Sequence, residues 1–205
     1  MNIYLLRHGE TDWNQERRLQ GHTDIPLNQN GKMQIDHVAE VLIDLCVNID
    51  LIISSPLSRA YESAEIVAER MSYEKDNIII EPLLIERCFG VGEGLTIVER
   101  KEKYPSGDYP EMESYEDLIS RAHSAIDKIV RSSEDSGNVL VVAHGAILYA
   151  ILTAITDGQI VYGGEMVKLD QASLHLIKYR DGAIQLAKYN KESSMFTEIR
   201  FRAEK

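Results

Sequence analysis

The 205-residue chain is predicted to be a three-layer α/β/α protein, a mostly parallel sheet flanked by helices with a small lid insertion. Three observations predict it. Short apolar runs alternate with stretches of helical period. Two of those runs stop abruptly on Arg-His-Gly or His-Gly, and in an open α/β sheet the strand ends are where ligands bind. With 44% hydrophobic and 27% charged residues, there is enough apolar material for a full core and enough charge for a wetted surface. The length suits one domain over residues 1–205.

The elements follow in order. Ile3-Tyr4-Leu5 reads as a buried strand that ends on Arg7-His8-Gly9. Residues 12–26 are polar and aperiodic, hence loop, and carry Asn14, Gln20, Gly21 and Asp24. Asn28 is placed to cap a helix that follows Gly31, with Ile35, Val38, Leu42 and Leu45 as its apolar stripe. Residues 50–54 form a second strand. Ser55 as N-cap with Pro56 at the first helical position then starts a helix whose face is Ala60, Ala64, Val67 and Met71. Arg59 falls in its first turn. Residues 78–80 make a short third strand, and 83–86 return to the sheet edge. Residues 88–95 are glycine-rich and 100–113 charged, so a lid is expected over about 88–137. Within it Ser114 and Asp117 resemble a capping box ahead of Leu118, Ala122, Ile126 and Ile129. Residues 139–143 are the most strand-like run and end on His144-Gly145, where a helix begins. Residues 173–178 and 183–189 form a hairpin around Asp181-Gly182, and the tail is weakly specified.

A net charge of −11 argues against nucleic acid or an anionic membrane as partner, since basic patches drive both. The two cysteines, Cys46 and Cys88, have no metal-ligand spacing, which predicts free thiols and a cytoplasmic location. No signal peptide is visible. The longest apolar run, 139–155, is broken by His144 and Gly145 and falls short of the roughly 18 residues of a membrane span.

His8 and His144 each end a strand, Arg7 and Arg59 hold comparable strand-end positions, and Glu86 follows a short apolar run. The topology brings these five groups to one edge. Guanidinium forks match a tetrahedral dianion, and a helix opening after Gly145 supplies backbone N–H donors. A neutral imidazole is a competent nucleophile at phosphorus, and a carboxylic acid can protonate the leaving alkoxide.

Arg7-His8-Gly9-Glu10-Thr11 with Asn14, Gln20-Gly21, Ser54-Ser55-Pro56-Leu57-Ser58-Arg59-Ala60, Glu86 and His144-Gly145 resemble, in order, the histidine phosphatase superfamily typified by cofactor-dependent phosphoglycerate mutase. The likeness spans residues 3 to about 155. It implies that His8 becomes phosphorylated. It also implies that Arg7, Arg59 and His144 hold the phosphoryl oxygens with a contact from Asn14. Gln20 and Gly21 match a substrate-touching loop. Glu86 matches the general acid, which later serves as base for the attacking water. The mutases resembled carry a longer, basic insertion between acid and second histidine, and Cys88-Phe89 departs from their acid motif. Gly90-Val91-Gly92-Glu93-Gly94 is closer to the phosphatase branch.

The expected activity is therefore hydrolysis of a small phosphorylated substrate, with no metal or cofactor called for. A cofactor-dependent phosphoglycerate mutase is the alternative. A phosphate-binding regulatory protein without turnover is a further one. Glu93 competes with Glu86 for the acid role. His22, His37, His123 and His175 read as structural or solvated, and Cys88 as packing. Tyr104, Tyr109 and Met112 line a substrate pocket or only pack the lid. Neither cysteine has arginine six positions later, so a thiolate phosphatase is excluded, and there is no Walker-type loop. Oligomeric state is left open.

Overall fold

The computed structural model describes residues 1–133, 136–160, 167–180 and 183–199. Seven strands form one sheet: β1 (Asn2–Arg7), β2 (Leu51–Ser54), β3 (Ile79–Ile80), β4 (Asn138–Ala143), β5 (Leu174–Arg180), β6 (Ala183–Asn190) and β7 (Met195–Ile199), in the spatial order β3-β2-β4-β1-β5-β6-β7. The half from β3 to β1 is parallel. The half from β1 to β7 is antiparallel, so the sheet is mixed rather than mostly parallel. The hairpin expected near the C-terminus is β5–β6; its Asp181-Gly182 turn lies outside the described residues.

Alternation along the strands builds two cores. Ile3, Leu5, Ile53, Val139 and Val141 face one helical layer, α5 (Tyr115–Ser132) and α6 (Gly145–Ile155). Tyr4, Leu6, Ile52, Leu140 and Val142 face the other, α2 (Gln29–Asp44) and α3 (Ser58–Arg70). A strand covered on both sides must be apolar on both, which is why β1 and β4 read as continuous hydrophobic runs. Asn28 caps α2 through its side chain as expected, although the helix starts before Gly31.

Four expectations are corrected. Residues 12–26 are not all loop: Thr11 closes a capping box with Asn14 over a one-turn helix, α1 (Asp12–Gln15). α3 does not begin at Ser55-Pro56; its N-cap is Leu57, and Asp24 reaches in from the loop to accept from the Ser58 N–H at 2.8 Å. The expected lid contains a core helix, since α5 buries Leu118, Ala122, Ala125 and Ile129 against α6. The remainder of that segment holds the short helix α4 (Ile97–Lys103). Finally, the tail contributes β7, whose Phe196 ring packs edge-on against Tyr4 and Tyr189.

Register decides where the strands deliver their last residues. Arg7 pairs with Ala143, and Ser54 with Val142. The residues that follow β1, β2 and β4, namely His8, Ser55 and His144, therefore emerge side by side.

Candidate active site

The His8 and His144 rings lie 5.1 Å apart between centroids, tilted at 58°, and His8 lines a cavity of about 220 Å³. Arg7, His8, Asn14, Gln20, Gly21, Arg59, Glu86 and Gly145 line this cavity, so the strand-end groups and the loop contacts expected from sequence share one space. His144 sits just beneath, fully buried.

His8 is wedged by backbone. Its N–H donates to the Ala143 carbonyl, and its own carbonyl accepts from Ala172. Nδ1 lies 2.7 Å from the Gly9 carbonyl, which can only accept, so Nδ1 carries the hydrogen and Nε2 keeps its lone pair. Burial first, then the charges of Arg59 and Arg7, hold its pKa well below the ordinary imidazole range, partly opposed by the Gly9 carbonyl. The ring is thus neutral. Gly9 is required here because a Cβ would come within 2.4 Å of the Gly31 carbonyl oxygen.

Arg59 is 1% exposed and its three nitrogens are each committed: Nε to His144 Nδ1 at 3.2 Å, one terminal nitrogen to the Thr23 carbonyl at 3.0 Å, the other to the Gly21 carbonyl at 2.7 Å. Burial lowers its pKa to about 10, against the opposing pull of Glu86 and Asp24, so it stays cationic at neutral pH. Since Arg59 can only donate, His144 Nδ1 accepts, and Nε2–H is left to donate to Ser55 Oγ at 2.7 Å. Burial, then Arg59, His8, Arg7 and Arg121, keep His144 neutral. Arg7 donates to the Leu169 carbonyl at 2.5 Å beside the cavity.

Glu86 departs from expectation in its partners. The N–H groups at the start of α6 were expected to meet the ligand; instead Ala146 and Ile147 donate to Glu86 Oε1 at 3.0 and 3.2 Å, and Arg87 N–H adds a third bond at 2.9 Å. Oε2 keeps only a 3.3 Å contact with Ala146. The helix terminus thus holds the Glu86 carboxylate.

Glu93 does not line the cavity. Its carboxylate accepts from His22 and Phe89 N–H and from both Thr23 N–H and Oγ1. Burial alone would raise its pKa, but these bonds hold it below the carboxylate norm, which suits a structural clasp rather than an acid. Gly21, at φ 58°, has room for no side chain there: a Cβ would lie 2.0 Å from Glu93 Oε1. Asn14 Oδ1 is taken by Thr11, and Gln20 Oε1 accepts from Thr11 Oγ1 at 3.0 Å, so each is left its amide donors for the cavity. Tyr104 and Tyr109 stack edge to face at 5.4 Å, and Met112 bridges to Phe89; none of the three lines the cavity. Sequence reasoning missed Ser55 beside His144 and the cavity-lining Arg18, Leu19, Phe89, Ala146, Tyr149 and Leu169. Only Ser55, directly after a strand end, carried a local signal. Among the described residues no group of three or more His, Cys, Asp or Glu is placed to hold a metal ion, and no helix is long and apolar enough to cross a membrane.

The fold and cavity define a class: α/β proteins that set a pair of imidazoles and an arginine-lined cavity at the strand ends. The profile of the histidine phosphatase superfamily (branch 1) matches residues 3–192. PhoE of Bacillus subtilis, named an uncharacterised phosphatase, is 36% identical over 193 residues, 94% of this chain and 96% of its own. A Cronobacter sakazakii protein named a probable phosphoglycerate mutase GpmB is 32% identical over 191 residues, 88% of this chain and 86% of its own. Mycobacterial glucosyl-3-phosphoglycerate phosphatase superposes with a TM-score of 0.78 at 26% identity, covering 91% of this chain and 96% of its own. Entamoeba histolytica phosphoserine phosphatase does so with 0.76 at 25%, covering 95% and 98%. The chain belongs to the histidine phosphatase superfamily; three of these four similar proteins are named phosphatases and one a probable phosphoglycerate mutase.

Proposed function

We propose that the protein is a phosphomonoesterase that hydrolyses a small phosphorylated metabolite through a phosphohistidine on His8. The observation that carries this reading is a neutral His8 with Nδ1 tied to the Gly9 carbonyl and Nε2 left as the nucleophilic nitrogen, at an arginine-lined cavity. Nε2 attacks phosphorus, and the bond from phosphorus to the ester oxygen breaks. Glu86, protonated on Oε2, the oxygen with fewer backbone donors, gives its proton to the departing oxygen. The carboxylate then takes a proton from water, whose oxygen attacks phosphorus and breaks the N–P bond. Of the five N–H groups of Arg59, three hold the protein and two are left for the equatorial oxygens, with Arg7 and the amides of Asn14 and Gln20 beside them. His144 braces Arg59 and the floor beneath His8.

Acid-stable denaturation is not the test, since phosphohistidine is acid-labile; rapid denaturation in alkali after mixing with ³²P-labelled ester should trap label on His8. His8→Ala should carry none and lose at least about 10³ in kcat. Label elsewhere, or an active His8→Ala, defeats the reading. The mutase reading has one support, relatives named for that activity. Interconversion of 2- and 3-phosphoglycerate much faster than ester hydrolysis would establish it instead.

A further inference from the structure

Arg121 lies on α5, outside the cavity lining, and its side chain is only 15% exposed. Its donors are fully assigned. Nε and one terminal nitrogen grip the Glu113 carboxylate at 2.8 and 2.7 Å. The other terminal nitrogen reaches the carbonyls of Leu83 and Ile85 at 2.8 and 2.7 Å. The fifth N–H points at the Glu86 carbonyl, 3.4 Å away. Three carbonyls of the turn that presents Glu86 thus converge on one guanidinium. Arg87 returns the connection by donating twice to the Glu113 carbonyl, and His22 Nε2 meets the Glu86 carbonyl at 2.8 Å.

We propose that Arg121 is a positioning residue for Glu86, setting where the carboxyl stands relative to the phosphoryl cavity. This rests on Glu86 being the general acid. An exposed ion pair would add little, but here most of the donors go to backbone, and backbone position is what aims the acid. The carboxyl is fixed at one end by the α6 amides and at the other by its own main chain. Losing the second anchor lets the turn shift, and a displacement near 1 Å is enough to cost about 10² in rate.

The test exploits the fact that an acid matters only when the leaving group needs a proton. Wild type, Glu86→Gln, Arg121→Gln and the double variant are assayed on glycerol phosphate, whose alkoxide needs one, and on p-nitrophenyl phosphate, whose phenolate does not. The quantity compared is kcat/KM, which reports the transfer to His8 and not the water attack common to both esters; Glu86→Gln should lose about 10²-fold in it on the alkyl ester and far less on the aryl ester. Arg121→Gln should lose about tenfold on the alkyl ester and less than about twofold on the aryl ester, and the double variant should be no worse than Glu86→Gln. Equal losses of Arg121→Gln on both esters, or losses that multiply in the double variant, overturn the proposal. If Glu86→Gln itself shows no split between esters, the acid role falls and the proposal with it, a result read without any Arg121 variant. Arg121→Lys keeps the charge but not the fork, and serves the same comparison should the glutamine variant fail to fold.

Discussion

Arg59 shows how a buried guanidinium can order the structure around it. It draws together the loop carbonyls of Gly21 and Thr23 and fixes the tautomer of His144, so it organises the floor before any ligand arrives. That role was not legible in sequence, where Arg59 read only as a clamp. Its position was legible, because a cation one turn after a strand end has few other uses. Ser55 was misread as a helix cap for a similar reason: a serine before proline fits capping statistics, but the backbone turned late and its hydroxyl met His144 instead. The lowered pKa of His8 makes a residue-scale prediction. A base with a depressed pKa stays neutral at every pH above the lowered value, so acidification through about 6.5 leaves its lone pair intact. A kcat/KM profile from about pH 7.5 to 6 should therefore change by less than about twofold on this account. A single ionisation near 6.5 that abolishes activity and moves with changes at His8 would contradict it.

Among the elements, α5 carries the largest revision. Sequence marked its cap and stripe correctly but placed it in a lid, because the long charged segment ahead of it offers no local sign of where the core resumes. Its stripe is buried against α6. Leu118→Ala should lower unfolding free energy by about 2–5 kcal/mol in urea titration, because the cavity it leaves is enclosed. Ile97→Ala on α4, at a residue 40% exposed, should stay within about 0.5 kcal/mol. Comparable costs for the two would return α5 to the periphery. β7 escaped sequence reading because an edge strand with one wetted face has weak alternation; what orders it is the contact of Phe196 with rings on β1 and β6.

At the scale of the whole molecule, the mixed sheet carries a histidine with no catalytic place. His175 on β5 sits between Leu5 and Lys188, fully buried, and among the described residues neither ring nitrogen has a hydrogen-bond partner. Burial first, then Lys188, lowers its pKa to about 3. The unfolded chain, with an imidazole pKa of about 6.5, binds the proton more readily, so folding stability is fully present above that pH and falls as pH drops from there towards about 3. His8 and His144 act in the same direction. Guanidinium chloride titrations at pH 7 and pH 5 should show a loss approaching about 1.4 kcal/mol per pH unit for each such imidazole. His175→Leu should lessen the dependence while holding or raising stability at pH 7, since an apolar replacement removes two unsatisfied polar atoms. An unchanged pH slope in that variant would show that His175 is not one of the groups responsible.

Sequence by itself determined the alternating strands and helices, the apolar faces, and the types of group that would meet at the strand ends, since all of these are written in local period and in residues that make poor core material. Only the tertiary structure decided their partners. Register set His8 beside His144, a loop carboxylate displaced the expected cap of α3, and the amides of α6 turned to Glu86 instead of the ligand. Each of these is a contest among distant donors and acceptors for one site, and its outcome depends on which of them packing brings within hydrogen-bond reach.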